Sequence, residues 1–590
     1  MKTLTKLRDL LTRREQIQAL MLLAMMLLLG VIEMVGVASI FPLIAVLSDP
    51  SLIEKNRWLH LLFHSLYFTS FNAFFIFLAA AVFLITVART AFTAVTNYGL
   101  QRYAQMRSHR LSVVLLSSKL RRPYTFFLRH HTADMARTIL SEVDQVVIGS
   151  LMPMLQLISQ IIISFCIMAV VTVVDALVAL IAMVTVTGGY GIVYFLVRKM
   201  LRRKGIERNI ANTERFSIAH EVLGGVKEVK VSGIEGVYIN RFERASLKFA
   251  RLRTQFGVVK EVPRHALELV AISGILLVIM VLLLKNDGNL TAAMPTIAVY
   301  AFAGLRLLPS IQTIYQSVVA VRFDGPALDR LHDDLLRADQ VSDLRHVEPL
   351  GLHVAICLDR VSFTYPDSDR TALKDISLRI PAKSKIGIIG PSGAGKSTLI
   401  DIMLGLLEPQ QGVIQIDGVA LDRTNVRSWF KTVGYVPQQI FLADESIASN
   451  IALGLAPDAI DMKAVENAAK LANIHSFVVN ELPAGYLTEV GDRGIRLSGG
   501  QRQRIGIARA LYHRPSVLIL DEATSALDMA TEQGVMAELN SLSSSITIIL
   551  IAHRETTLNE VDMVFRLENG CITNSGPPSE ILKGTAGQSE

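Results

Sequence analysis

Between Ile17 and about Val319 the chain carries apolar runs longer than the helices of a soluble core require. Inside hydrocarbon every backbone N–H and C=O must be paired within the chain, so such runs have to be membrane-crossing helices. A hydrocarbon core about 30 Å thick takes about 20 residues of helix. On that measure Ile17–Leu47 holds the first span. The second begins near Phe71, and few helix breakers appear before Pro123. A helix from there to about residue 118 would run about 70 Å. It would project well beyond the bilayer, carrying Arg102, Arg107, Arg110 and Lys119. The block 146–197, interrupted by Asp175, reads as two spans with a tight outer turn. Val262–Leu284 and Thr291 to about Val319 make the last two of six.

Charge sets the orientation. Lys and Arg crowd the N-terminus and the two long loops near 119–146 and 198–261, and are sparse in the other three. The positive-inside rule then places both termini in the cytoplasm. The formal charge of +7 is accounted for by these loops, and no nucleic-acid partner is expected. Residues 1–16 place Leu4, Leu7 and Leu11 at helical spacing among basic residues, the pattern of an amphipathic helix on the membrane surface. The run after it is too long for a secretory signal. Residues 48–70 read either as a short interfacial helix on the outer side, with Trp58, Leu59, Leu62, Phe63 and Leu66 on one face, or as an irregular loop. Cys166, Cys357 and Cys571 have no metal-ligand spacing and imply neither a zinc site nor a disulfide framework.

Three charges fall at membrane depth: Glu33, Arg89 and Arg306. Charges there are costly in lipid and mark functional sites, internal pairs or side chains that snorkel. Counting helical rise from the outer ends of their spans puts Arg89 and Arg306 in the inner half of the core. Counting Glu33 upward from near Ala19 puts it at a different depth, so it is not expected to partner them. The two arginines are candidate ligands for the phosphate of an anionic lipid, because guanidinium groups bind phosphate in bidentate fashion.

Residues 321–350 are polar and read as a linker to a soluble region at 351–590. There Gly390-Pro391-Ser392-Gly393-Ala394-Gly395-Lys396-Ser397-Thr398 fits the phosphate-binding pattern G-x-x-x-x-G-K-[ST], between an apolar strand at Ile386–Ile389 and a helix from Ser397. Glycines let backbone N–H groups approach phosphates, Lys396 reaches the β- and γ-phosphates, and Ser397 is placed to ligate Mg²⁺. Tyr365 is a candidate platform for an adenine ring. Gln438 follows an apolar run. Ser498 can cap the helix that starts at Gly499, in Leu497-Ser498-Gly499-Gly500-Gln501. Val517–Leu520 is an apolar strand ending in Asp521-Glu522, where the Asp can hold Mg²⁺ and the Glu polarise an attacking water. Ser525-Ala526-Leu527-Asp528 follows, and His553 stands after the apolar run 546–551.

This set, in this order, resembles the ATP-binding cassette of ABC transporters. The resemblance implies that Gly390–Thr398 is Walker A, Gln438 the Q-loop and Leu497–Gln501 the signature. It further implies that Asp521 and catalytic Glu522 form Walker B, that Asp528 is the D-loop and that His553 is the switch histidine. ATP and Mg²⁺ are the implied cofactors, with Ser397, Gln438 and Asp521 around the metal. Glu489–Gly494 is similar to the exporter X-loop, with Asp492 where many members have Glu. Six spans ahead of one cassette resemble the type IV exporter half-transporter, a six-span helical membrane domain (17–320) fused to a cytoplasmic α/β P-loop cassette (351–590). In that family two cassettes meet head to tail, which implies a homodimer, with coupling helices near Tyr124–Phe127 and Gly224–Val231.

Among exporters, the segments Glu33–Ile44, Gly225–Lys230 and Arg306–Ile311 are similar to bacterial lipid-linked oligosaccharide flippases of the PglK type. That resemblance implies a lipid-linked glycan as cargo and the bacterial cytoplasmic membrane as location. A multidrug or lipid exporter and a peptide exporter are the alternatives.

Overall fold

The computed structural model describes the chain except Met1, Leu10, Asp49, Thr69, Asp175, 286–289, 337–347, Asp367, 492–493, 525–526, 552–557 and 583–590, and except some side chains, mostly at 174–190 and 262–296. It divides into two compact units, Met1–Arg122 with Phe126–Ser342, and Pro123–Thr125 with Asp343–Glu590.

The first unit is all helix. Helix α1 (Lys2–Asp9) precedes α2 (Arg13–Ala38) and α3 (Ile40–Ser48), and the short α4 (Leu52–Lys55) and α5 (Arg57–Ser65) follow. Of the two readings of 48–70, the helical one is what the fold contains. Helix α6 (Phe71–Leu120) is a single rod of 50 residues, about 75 Å long. After α7 (Tyr124–Arg129), the stretch from α8 (Thr132–Arg137) through α9 (Val143–Val146) to α10 (Met152–Val174) contains two π-helical turns, Thr138–Glu142 and Val147–Leu151. Helix α11 (Ala176–Gly224), α12 (Val226–Ser232), α13 (Glu235–Lys285) and α14 (Leu290–Leu336) complete the unit. Helix α14 continues through 321–336, residues whose polarity reads as linker. Among the described residues, four helical stretches are long and apolar enough to cross a membrane: Arg13–Leu47, Phe71–Leu120, Thr132–Val173 and Ile297–Leu335. Exposed side chains such as Ile76, Phe83, Leu84, Ile161 and Phe165 lie on them, as a lipid-facing surface requires.

Helices α2 and α3 run antiparallel to α6, and buried ion pairs fix their register. Glu15 pairs with Arg107 and Arg110, and the Tyr103 hydroxyl donates to the Glu15 carbonyl at 3.2 Å. Further along, Arg89 Nη1 lies 2.7 Å from Glu33 Oε1, with Glu33 buried and Arg89 partly so. At the far end Val46 and Phe74 share one apolar cluster.

The expectation that Glu33 would not partner Arg89 is therefore corrected. The depth count measured one residue from the inner surface and the other from the outer, as if α2 ended about 30 Å up. With α3 the first span reaches Ser48, so Glu33 lies about 22 Å from that outer end and Arg89 about 27 Å from its own. Measured from the same side, they are neighbours.

Helices α11 and α14 approach so closely that a Cβ on Gly205 would fall 2.1 Å from the Phe323 carbonyl oxygen. Beside that contact Arg208 Nη1 pairs with Asp324 Oδ1 at 2.7 Å, both buried. Gln145, in the α9 turn between the π segments, donates to the same oxygen at 2.9 Å.

In the second unit, β1 (Ala355–Thr364), β2 (Thr371–Pro381), β4 (Gln411–Ile416) and β5 (Val419–Ala420) form an antiparallel sheet in the order β2-β1-β4-β5. A six-stranded sheet has the order β10-β9-β3-β8-β7-β6, with β3 (Lys385–Ile389), β6 (Val433–Val436), β7 (Val517–Asp521), β8 (Thr547–Ile551), β9 (Met563–Glu568) and β10 (Cys571–Gly576). Strands β9, β3, β8, β7 and β6 run parallel. Strand β7 is buried throughout, as a parallel strand covered on both faces must be. The period of two separates its faces. Val517 and Ile519 join one core with β1, β2 and Trp429, and Leu518 and Leu520 join another with the helices at 447–512.

Gly205→Ala is expected to destabilise the helical unit by about 1–3 kcal/mol, because a backbone oxygen cannot move aside as a side chain can. Gly257→Ala on α13, where nothing lies within 4 Å of the added Cβ, is expected to be neutral or slightly stabilising. Thermal unfolding of the detergent-solubilised protein compares the two.

Candidate functional site

The carboxyl ends of the parallel strands gather the nucleotide-site candidates along one edge. Pairing of Ile388 with Ile551, Asp521 with Ile551, and Val436 with Leu520 puts the ends of β3, β8, β7 and β6 at one level. Open α/β sheets bind ligands beyond such an edge.

From β3 the chain turns through Gly390–Gly395 into α15 (Lys396–Met403). Gly395 has φ of 105°, and a Cβ there would meet the Ala372 carbonyl at 2.8 Å. Only glycine allows the loop to close on β2 in this conformation. Ser397 is exposed at the first turn of α15. Lys396 is buried, and its ammonium donates to the carbonyls of Gly390 at 2.7 Å and Pro391 at 3.2 Å. These carbonyls hold the cation over the loop. Tyr365 hydrogen-bonds Thr398 through its hydroxyl at 3.1 Å and sets its ring edge-on to Phe363. The expected adenine platform is thus tied to the phosphate-loop helix.

At the end of β7, Asp521 is buried, and burial followed by the adjacent Glu522 charge holds its carboxyl above the usual range, while Lys396 opposes that shift. Asp401 on α15 faces it. Burial and the Asp521 charge push the Asp401 carboxyl up to about 6. The sequence signal for Asp401 is its position four residues after Ser397, on the same helical face. Glu522 has φ of 50°, a conformation rarely adopted by a residue with a Cβ and one that collects at functional sites. Its N–H donates to the Ile551 carbonyl at 3.2 Å. The Gln438 amide, two residues past β6, donates to Glu522 Oε2 at 2.6 Å. The fold therefore joins two candidates that stand far apart in sequence. His553 lies outside the described residues.

Ser498 caps the helix Gly499–Tyr512. Its hydroxyl accepts from the Gln501 N–H at 3.2 Å, and Gln501 Oε1 accepts from the Ser498 N–H at 2.8 Å. That double cap leaves the helix N-terminus facing outward with an exposed serine. Among the described residues no hydrogen bond joins Leu497–Gln501 to Gly390–Thr398. Asp528 caps the helix Met529–Leu542 and is held below the usual carboxylate range by the Thr531 amide and hydroxyl.

In the helical unit the remaining candidates lie together. Arg89 is paired with Glu33. Arg306 stacks its guanidinium 5.2 Å above the Phe302 ring and lies within electrostatic reach of both Arg89 and Glu33. Two cations thus share one carboxylate.

Comparison with known proteins places these elements in a family. Residues 373–525 match the family model "ABC transporter", and residues 58–297 match "ABC transporter transmembrane region". The chain is 34% identical over 409 residues to an ATP-dependent lipid A-core flippase of Saccharophagus degradans, covering 68% of this chain and 67% of that protein. It is 29% identical over 491 residues to the protein of the same name from Cupriavidus metallidurans, covering 80% and 79%. A solved bacterial Atm1-family ABC exporter with ATP bound has the same fold, with a TM-score of 0.77, 23% identity and coverage of 97% and 96% of the two chains.

Glu522→Gln is expected to lower ATP hydrolysis by about 10²–10⁴-fold, the usual effect of losing a general base, with ATP affinity unchanged. Steady-state ATPase beside equilibrium nucleotide binding measures both; hydrolysis near the wild-type rate would remove Glu522 from that role.

Proposed function

The chain belongs to the ABC transporters as an ATP-hydrolysing exporter half-transporter with a helical membrane region and one cassette, and from that premise we propose that it flips an anionic lipid-linked oligosaccharide across the bacterial cytoplasmic membrane. The observation that carries the cargo is the Glu33–Arg89–Arg306 group. Glu33 offsets one arginine and leaves the site net positive inside the span. A lipid phosphate or pyrophosphate supplies the missing negative charge in a form a guanidinium binds well. Arg306 is the direct phosphate ligand in this reading, and Arg89, already held by Glu33, supports it. A net positive site disfavours cationic drugs. The similarity to lipid A-core flippases supports a second anionic glycolipid cargo on the same chemistry.

In the cassette, ATP supplies the phosphoryl group whose transfer to water drives transport. The donor set fits Mg²⁺: Ser397 and Asp521 offer hard oxygens, and a cation there would offset the burial and the Glu522 charge that lift the Asp521 carboxyl. Gln438 is the third group assigned to it. Lys396 exchanges its loop carbonyls for phosphate oxygens, and the Gly390–Gly395 backbone cradles them. Glu522, aimed by Gln438 and by its own strained backbone, accepts the proton of the attacking water, and His553 takes the switch-histidine role that the family resemblance implies. Tyr365 releases Thr398 to stack on adenine. Ser498, Gly499, Gly500 and Gln501 complete the site of a second copy through the N-terminus of the helix Gly499–Tyr512, so the active unit is a homodimer with the cassettes and both termini in the cytoplasm.

Two measurements test this. In mixed dimers of Lys396→Ala and Ser498→Arg chains, both lesions fall on one composite site and leave the other intact. ATPase should then persist where each homodimer is inactive; full activity of a verified monomer would overturn the dimer. In proteoliposomes, Arg306→Ala should slow flipping of a pyrophosphate-linked glycolipid about tenfold to a hundredfold. That is what losing one charge-assisted hydrogen bond of about 1.5–3 kcal/mol produces. Basal ATPase and thermal stability should hold. Wild-type flipping by a folded Arg306→Ala protein would rule the phosphate role out.

A further inference from the structure

A second cationic site lies lower on the helical unit. From Ala176 to Val197, α11 carries 22 residues without a charge, about 33 Å of helix and enough to cross the hydrocarbon. Arg198, Lys199, Arg202, Arg203 and Lys204 follow at once, at the depth of the headgroups. Ile192, Phe195 and Leu196, just above, are exposed apolar side chains, and Arg198 lies 4.7 Å over the Phe195 ring.

The cations are not simply spread around the helix. Lys199, Arg202 and Arg203, at i, i+3 and i+4, line an open pocket of about 410 Å³ together with Ile206, Glu207 and Arg322 of α14. Glu207, the one acid among the pocket's described lining residues, is engaged by Arg203 at 2.9 Å and Lys204 at 3.7 Å. Among the described residues no carboxylate lies within ion-pair distance of Lys199, Arg202 or Arg322. The positive-inside rule explains how many cations a loop carries. It does not explain why an arginine of a different helix converges on the same concavity, where like charges repel unless an anion sits between them.

We propose that the pocket of Lys199, Arg202, Arg203 and Arg322 binds the phosphate headgroup of an anionic phospholipid of the inner leaflet, with its acyl chains against Ile192, Phe195 and Leu196. The occupant is a resident membrane lipid, and the site is separate from the Arg306 group. The chemistry is that of basic pockets at the cytoplasmic ends of membrane helices.

The test uses the full chain in detergent, with phosphatidylglycerol or phosphatidylcholine titrated in and bound lipid counted by native mass spectrometry. Lys199→Gln/Arg202→Gln/Arg322→Gln should weaken phosphatidylglycerol binding on the order of a hundredfold and leave phosphatidylcholine unchanged. Arg244→Gln/Lys248→Gln/Arg251→Gln, which removes equal charge further from the bilayer on α13, should bind as wild type. Equal losses in both triple variants, or no loss in the first, would overturn the site. Competition by inorganic phosphate or glycerol phosphate as effective as that by phosphatidylglycerol would overturn the lipid assignment. If the triple variant does not fold, Arg202→Gln and Arg322→Gln singly should each give part of the loss; wild-type binding by both would overturn the proposal. Binding is read directly, so the result stands whatever the cargo, and Arg306→Ala serves as a variant that should retain this site.

Discussion

Backbone polar groups cannot be left unpaired in hydrocarbon, and most of the helical unit follows from that constraint. It forces continuous helices, and helices of 47–51 residues such as α6, α11, α13 and α14 are longer than any bilayer is thick. Their surplus length is where charge can be carried cheaply. Arg107, Arg208 and Asp324 lie on it, in buried pairs with Glu15 of α2 and with each other that set how the rods align. Of the charges that remain at membrane depth, Arg89 and Glu33 pair with each other and Arg306 lies over the Phe302 ring.

The sequence is most legible where a local rule has one solution. The phosphate loop needs a strand before it and a helix after it, and both are present. The long apolar runs are read equally well where the structure describes them, as four stretches long and apolar enough to cross a membrane, because hydropathy and length leave little choice; the expected outer turns at Asp175 and 286–289 lie outside the described residues. The Glu33–Arg89 pair is hidden from a depth count for a definite reason. Counting from opposite surfaces separates the two residues, and the extra turns of α3, which carry the first span on to Ser48, have no signature beyond continued hydrophobicity. The Gln438–Glu522 bond could not be read at all, since the adjacency of β6 and β7 is a product of strand order and not of spacing. Likewise the burial that lifts Asp401 and Asp521 requires the sheet to be assembled.

The cassette edge shows how rigidity and strain are combined. Fully buried parallel strands fix the ends of β3, β7 and β8 relative to one another. That rigidity holds Glu522 in a left-handed conformation it would leave in a free chain, with its carboxylate aimed by Gln438. Lys396 and Tyr365 are held differently. Their hydrogen bonds to loop carbonyls and to Thr398 are ones each side chain can exchange for bonds or stacking with a nucleotide. The site therefore contains one strained anchor and two exchangeable arms.

The π segments at Thr138–Glu142 and Val147–Leu151 have an effect on how this stretch can change over time. Each π-turn is an α-helix that has taken in one extra residue, and one residue is about 100° of rotation. Two in series turn everything after Leu151 by more than half a circle relative to a uniform helix. A helical wheel drawn across 132–174 thus misassigns the face of α10. Each turn is also a place where the loss of one residue would restore ordinary α-helix instead of breaking it. A residue lost at a π-turn in this way leaves the membrane-facing surface of α10 aimed as before, so these turns can absorb a change in length without passing a rotation on to that helix.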